Sequence, residues 1–149
     1  MPASPGSDPD RTTTVWVFDV DGTLIDAMTG QSLRPGADEL LSHLADCGSL
    51  VLLWSAGGAD YARRRAAERG VDRHFAGFHG KETRGTDGRY RTEFLDAHRL
   101  AGRDIVFVDD MPADLPIGAD VVGVRPYLAA NHHDRGLDVV ARRIGAEIG

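Results

Sequence analysis

Five short apolar runs punctuate this chain, at residues 14–18, 49–54, 75–78, 104–108 and 121–124. They are rich in β-branched and aromatic residues and lack polar alternation, so they predict strands buried on both faces. Between them lie stretches with helical spacing. Pro35-Gly36 opens one, with Leu40, Leu41 and Leu44 on a single face and a stop near Gly48. A second runs from Ala59 to Arg69, closed by Gly70. Residues 92–100 and 137–148 complete the set. Residues 22–33 predict a loop or small hairpin, and Asp87-Gly88 predicts a turn or hairpin within 81–91. Alternating β and α elements imply an α/β fold with a parallel sheet covered on both faces.

Two of the apolar runs end in acid. Val15-Trp16-Val17-Phe18 leads into Asp19-Val20-Asp21-Gly22-Thr23-Leu24, and Ile105-Val106-Phe107-Val108 leads into Asp109-Asp110, with Asp114 four residues on. A third run ends in Ser55-Ala56-Gly57-Gly58. Parallel strands deliver such ends to one edge of the sheet, where open α/β folds bind ligands. Two like charges about 4 Å apart repel by on the order of 4 kcal/mol at an effective dielectric of about 20. A cation or a proton must offset that. Four carboxylates and a hydroxyl in one crevice suit magnesium and phosphate chemistry.

Composition narrows the reading. At 149 residues, 42% hydrophobic and 27% charged, the chain has the make-up of one soluble domain. Residues 1–12 are rich in Pro, Ser, Gly and Asp and are expected to form a flexible tail before a single domain at 13–149. The net charge of −6 argues against general nucleic-acid binding. No apolar run has transmembrane length, and no membrane partner is expected. Cys47 stands alone and cannot form an internal disulfide, which points to the cytoplasm. It falls in an apolar helical pattern and is expected to pack, as are Trp16 and Trp54. Arg63-Arg64-Arg65 with Arg69 reads as a solvated helix face, and His132-His133-Asp134 as surface.

The motifs, in this order, resemble those of the haloacid dehalogenase-like superfamily of hydrolases. Asp19-Val20-Asp21-Gly22-Thr23-Leu24 is similar to its first signature, Ser55 to its second, and Asp109-Asp110 with Asp114 to its fourth. The likeness spans about Thr14 to Arg125. It implies a three-layer αβα Rossmann-like domain with strand order 5-4-1-2-3. The gaps after the first motif and after Ser55 hold no separate cap domain. Dehalogenases of this superfamily lack the second aspartate, present here as Asp21, so the resemblance points to phosphoryl transfer.

By the same resemblance Asp19 is the nucleophile and Asp21 the acid and base. Magnesium would be held by Asp19, the Asp21 carbonyl and Asp110, with Asp109 near or in the shell; the Asp110–Asp114 spacing favours Asp110. Asp114 would stand behind the metal or else begin a helix. Ser55, with the amides of Ala56 and Gly57, would meet the phosphate or simply cap a helix. The basic third signature is Lys81, the one lysine beside sixteen arginines, or else Arg91 or Arg89. The expected activity is hydrolysis of phosphomonoesters, small or macromolecular, at an open site. The alternatives are a phosphotransferase, a polynucleotide 3′-phosphatase and a non-catalytic phosphate- or partner-binding module. Oligomeric state is not legible.

Overall fold

The computed structural model describes residues 13–148; the expected tail, residues 1–12, lies outside them. The elements are β1 (Val15–Asp19), α1 (Ala37–Asp46), β2 (Leu50–Ser55), α2 (Ala59–Glu68), β3 (Gly77–Gly80), α3 (Asp96–Leu100), β4 (Ile105–Asp109), β5 (Asp120–Gly123) and α4 (Asp138–Ile148). Short 3-10 turns at Asp72–His74, Glu93–Leu95 and Pro112–Asp114 link some of them. The five strands form one all-parallel sheet in the order β3-β2-β1-β4-β5. This is the expected Rossmann-like topology, read from the opposite edge.

Strand boundaries depart from the apolar runs in an informative way. Strands β1, β2 and β4 each run one residue further than the run that predicts them. Asp19, Ser55 and Asp109 are therefore the last paired residues of their strands rather than the first residues of loops. The third strand begins at Gly77, because Phe75 closes the Asp72–His74 turn through its N–H to the Asp72 carbonyl (3.1 Å). The predicted helix over 92–100 splits into the Glu93–Leu95 turn and α3.

Alternation along β1 separates two cores. Trp16 and Phe18 face a large cluster with Leu40, Leu41 and Leu44 of α1, Ala62 and Ala66 of α2, and Val140 and Ile144 of α4. Val15 and Val17 face a smaller one with Leu52, Trp54, Leu95, Phe107 and Leu115, joined by Tyr90 and Phe94. Both faces are covered, but unequally: three helices pack on one, and a hairpin with short helical turns on the other. Trp16 and Trp54 are core, as expected. Cys47 is not; it caps the C-terminus of α1 and is exposed, because the apolar face of that helix ends at Leu44. No helix among the described residues is long and apolar enough to cross a membrane.

Residues 20–34 connect β1 to α1 and shape the sheet edge. Asp26 is fully buried and accepts hydrogen bonds from the Thr29 hydroxyl (2.7 Å) and the N–H groups of Thr29, Gln31 and Ser32 (2.7, 3.1 and 2.8 Å). Arg34, also buried, donates to the Thr23 carbonyl (3.2 Å), the Arg125 carbonyl (2.7 Å) and Asp134 (2.6 and 3.2 Å). A Cβ at Gly136 would lie 1.7 Å from the guanidinium, so only glycine fits there. One side chain thus ties the first motif to the segment after β5.

Removing Arg34 would strand the Asp134 charge and two carbonyls. Arg34→Leu should cost about 3 kcal/mol, the lower end for breaking a buried pair, because Asp134 keeps some solvent contact. Burial pushes the Asp134 carboxyl up, but hydrogen bonds from Arg34 and the Gly136 N–H hold it below its ordinary value. Its folded pKa is depressed, so its contribution is complete above about pH 4 and lost as pH falls through the lowered value. Urea unfolding between pH 2 and 6 should show Arg34→Leu losing this acid limb; an unchanged limb would show that the pair does not set it.

Candidate active site

The register brings three motifs together. Asp19 pairs alongside Trp54, Phe18 alongside Val108, and Ser55 alongside Gly80. Asp19 and Asp109 therefore leave adjacent strands at the same level. Lys81 follows β3, two strands from β1, or roughly 10 Å at ordinary strand spacing. Its long stem crosses that gap. The ammonium lies 4.9 Å from the centre of the Trp54 ring and 5.4 Å from that of Tyr90, and donates to Asp19 Oδ1 (2.8 Å) and Asp109 Oδ2 (2.9 Å). All three side chains are nearly excluded from solvent.

Asp110 stands beside them. The Thr23 hydroxyl donates to Asp19 Oδ2 (3.0 Å) and accepts from the Asp110 N–H (3.2 Å), bridging the first and fourth motifs. Gly22 has φ 80°, and a Cβ there would fall 2.4 Å from Asp110 Oδ2. The glycine serves both a left-handed turn and the close approach of a carboxylate. Oxygens of Asp19, Asp109 and Asp110 lie within 4.8 Å of one another, a hard-donor cluster able to hold a divalent cation.

The charges do not balance without one. A single ammonium faces three carboxylates. Burial, with the neighbouring Asp109 charge, pushes Asp19 up to about 8 despite Lys81. Burial likewise raises Asp109. Burial alone would lower Lys81, but the charges and hydrogen bonds of Asp19 and Asp109 outweigh it and raise Lys81 above its ordinary value. The site thus holds its lysine charged and resists ionising Asp19 and Asp109 until more positive charge arrives.

Other expected residues lie as follows. The Ser55 hydroxyl oxygen accepts from the Gly57 N–H (3.0 Å), which leaves its own hydrogen free to donate. Ala56 and Gly57 form the exposed turn before α2. Asp21 is outside the carboxylate cluster; both its oxygens accept from the Tyr61 hydroxyl (2.9 and 3.0 Å). Arg91 is not with the carboxylates, because it pairs with Glu93 on the exposed hairpin. Arg89 donates to the Ala113 and Leu115 carbonyls (2.8 Å each). Asp114 ends a 3-10 turn and faces Arg84 at 3.7 Å, away from the cluster. Of the arginine run, Arg65 and Arg69 are not merely solvated: they donate to the Gly30 and Gln31 carbonyls and brace the 20–34 segment. Asp134 of the His-His-Asp stretch serves Arg34.

Sequence reasoning missed Tyr61 and Arg34. For Tyr61 there was a weak signal, an aromatic residue in the first turn of the helix behind Ser55. For Arg34 there was none beyond an arginine before Pro35-Gly36.

No protein-family model matches the chain, and no curated protein matches it significantly. Solved structures do. The core domain of a Streptococcus pneumoniae TIGR4 protein provisionally named a phosphoglycolate phosphatase is 18% identical, with a TM-score of 0.54, over 89% of this chain and 96% of that one. An uncharacterized protein from Listeria monocytogenes serotype 4b is 15% identical, with a TM-score of 0.57, over 82% of this chain and 84% of that one. At these identities the likeness is one of fold, the Rossmann-like α/β arrangement with its all-parallel sheet.

A cation competing with protons for this cluster has a pH signature. Asp19 and Asp109 have raised folded pKa values, so these two groups hold more protons in the folded chain than in the unfolded one as pH rises above about 4, Asp19 up to about pH 8, and their net effect on stability worsens as pH rises. Added magnesium should therefore raise the melting temperature relative to chelator by an increment that grows from pH 5 to pH 8. Differential scanning fluorimetry checks this; an increment that is flat or shrinks with pH would remove the carboxylate cluster as the binding site. Gly22→Ala should diminish the increment at pH 8 by displacing Asp110.

Proposed function

We propose that this chain is a magnesium-dependent phosphatase that hydrolyses phosphomonoesters through a phosphorylated Asp19. The observation that carries this reading is the buried Lys81–Asp19–Asp109 network with Asp110 beside it, at the carboxyl edge of a parallel sheet. The fold-level likeness to a provisionally named phosphatase core is in keeping with it. Asp19, Asp109 and Asp110, with the Asp21 main-chain carbonyl, would hold the ion. When bound, magnesium supplies charge neutralisation for the phosphoryl oxygens. Ionised Asp19 needs positive charge beyond Lys81, which is the chemical reason the reading includes a divalent cation.

The chain's own groups account for the proton and phosphoryl bookkeeping. An Asp19 carboxylate oxygen attacks phosphorus; the bond to the leaving oxygen breaks and its electron pair stays on that oxygen, which takes a proton from Asp21. Water then attacks the phosphorus of phospho-Asp19, giving its proton to Asp21, and the acyl-phosphate P–O bond breaks to restore the Asp19 carboxylate. Lys81 keeps a fixed positive charge beside the Asp19 oxygen throughout. The Ser55 hydroxyl donates to a phosphoryl oxygen. Exposed apolar side chains flank the first- and fourth-motif loops: Met111 follows Asp110, and Met28 lies against Leu128 through a backbone hydrogen bond (2.9 Å). They suit a substrate with an apolar or extended body.

A phosphomonoester panel with magnesium should release phosphate and alcohol in equal amounts; alcohol without phosphate would mean transfer to another acceptor. Asp19→Asn should abolish turnover without unfolding the chain. Lys81→Ala should lower kcat by at least about a hundredfold, the scale for one preorganised charge donor, while Arg91→Ala stays near wild type. Asp110→Ala should raise the magnesium requirement more than Asp109→Ala. Full activity in Asp19→Asn would end the reading.

A further inference from the structure

The Tyr61–Asp21 contact links the sheet edge to a helix. Asp21 lies two residues beyond the end of β1, and Tyr61 sits in the first turn of α2. A phenol carries one hydrogen, and its oxygen lies 2.9 and 3.0 Å from the two oxygens of Asp21, so it sits astride the carboxylate. The ring is held in turn. The guanidinium groups of Arg65 and Arg64 lie 5.2 and 5.8 Å from its centre. A Cβ at Gly57 would come within 2.7 Å of Tyr61 ring atoms, so the turn after Ser55 leaves room for the ring only as glycine. Ala62 and Ala66 are the fully buried residues of α2, and the Tyr61 ring packs partly buried against the same core; that packing uses the ring and leaves the hydroxyl to Asp21.

We infer that Tyr61 is the positioning residue of Asp21, its hydroxyl holding that carboxyl apart from the Asp19–Asp109–Asp110 cluster and directed to the leaving oxygen. The inference rests on the proton-transfer role given to Asp21 under Proposed function. Its physical basis is competition. A carboxylate two residues from Asp19 is within easy reach of any cation held there, and once drawn onto that cation it could no longer serve the leaving group. A fixed phenol donor opposes that collapse. In the step itself the Asp21 O–H bond breaks, its electron pair stays on Asp21 and the proton passes to the leaving oxygen. Tyr61 keeps its own proton and touches no reacting atom.

A merely structural tyrosine and a positioning one differ in leaving-group dependence. An alkyl phosphate needs a proton on its departing oxygen, whereas 4-nitrophenolate leaves without one. Tyr61→Phe, which keeps the ring, should lower kcat on an alkyl phosphate by about tenfold or more and on 4-nitrophenyl phosphate by less than about threefold, with KM little changed; general acid help as a whole is worth roughly a hundredfold or more. In an Asp21→Asn background the same change should have no further effect, since the two groups act as one unit. Gly57→Ala, which pushes the ring aside, should reproduce the selectivity of Tyr61→Phe and supplies the test should that variant fold poorly. Equal losses on both esters, or losses that simply multiply with those of Asp21→Asn, would overturn the role of Tyr61. If Asp21→Asn itself affects both esters alike, the acid assignment of Asp21 has failed, and the inference falls with it.

Discussion

The Lys81 ammonium is shared by two carboxylates that end neighbouring strands, with a third carboxylate alongside. At about 3 Å and an effective dielectric of about 20, each attraction is worth on the order of 5 kcal/mol, and the carboxylates, with oxygens within 4.8 Å of one another, repel by a few kcal/mol per pair. Much of the local architecture follows from making this arrangement tolerable. The lysine must enter from a strand far enough away that its own backbone does not crowd the crevice, yet near enough for its stem to span β2. An edge strand two places from β1 meets that condition. Trp54 and Tyr90 line its path, and their rings face a cation better than aliphatic groups would. An arginine would bring a wider, planar head to a slot shaped for a point charge.

That arrangement would be slack if the chain after β1 were free to move. The segment is held by small, exact-fitting polar contacts rather than by a large core. Thr23 joins Asp19 to Asp110, Gly22 lets Asp110 approach, Asp26 gathers the tip, and Arg34 fastens the Thr23 carbonyl to residues beyond β5. Buried polar networks of this kind are costly when incomplete and rigid when complete. Contacts of this kind explain how about fifteen residues without regular structure hold the acidic edge of the sheet in place.

The parts legible in the sequence are those in which local pattern and global fold agree. Continuous apolar runs meant buried parallel strands, and acids at their ends meant a crevice; Asp19, Asp109 and Asp110 duly converge. Lys81 stood out because a chain that otherwise uses arginine kept one lysine. The parts that were not legible depend on distance across the fold. Arg91 and Arg89 fit the third signature by position in sequence, but the Arg84–Tyr90 bridge folds that hairpin outward and spends their charges on Glu93 and on carbonyls. Cys47 continued the helical period on paper, yet the helix ends before it. Tyr61 and Arg34 act on residues 40 and 100 positions away, and no periodicity encodes such pairings.

The two carboxyl groups of the first motif end up anchored to different layers. Asp19 belongs to the sheet, through β1, Lys81 and Thr23. Asp21 belongs to the helical layer, through Tyr61. Their relative placement is therefore set by how α2 sits on the sheet, and that contact is made by Ala62 and Ala66, both essentially buried. Alanines have no rotamers to adjust and bring helix and strand backbones close, so the distance between the layers has little freedom. Two carboxyl groups that share one strand end by sequence are thus held apart by the thickness of a helix–sheet contact. Larger side chains at those two positions would change that thickness, and with it the geometry between the two groups, without touching either.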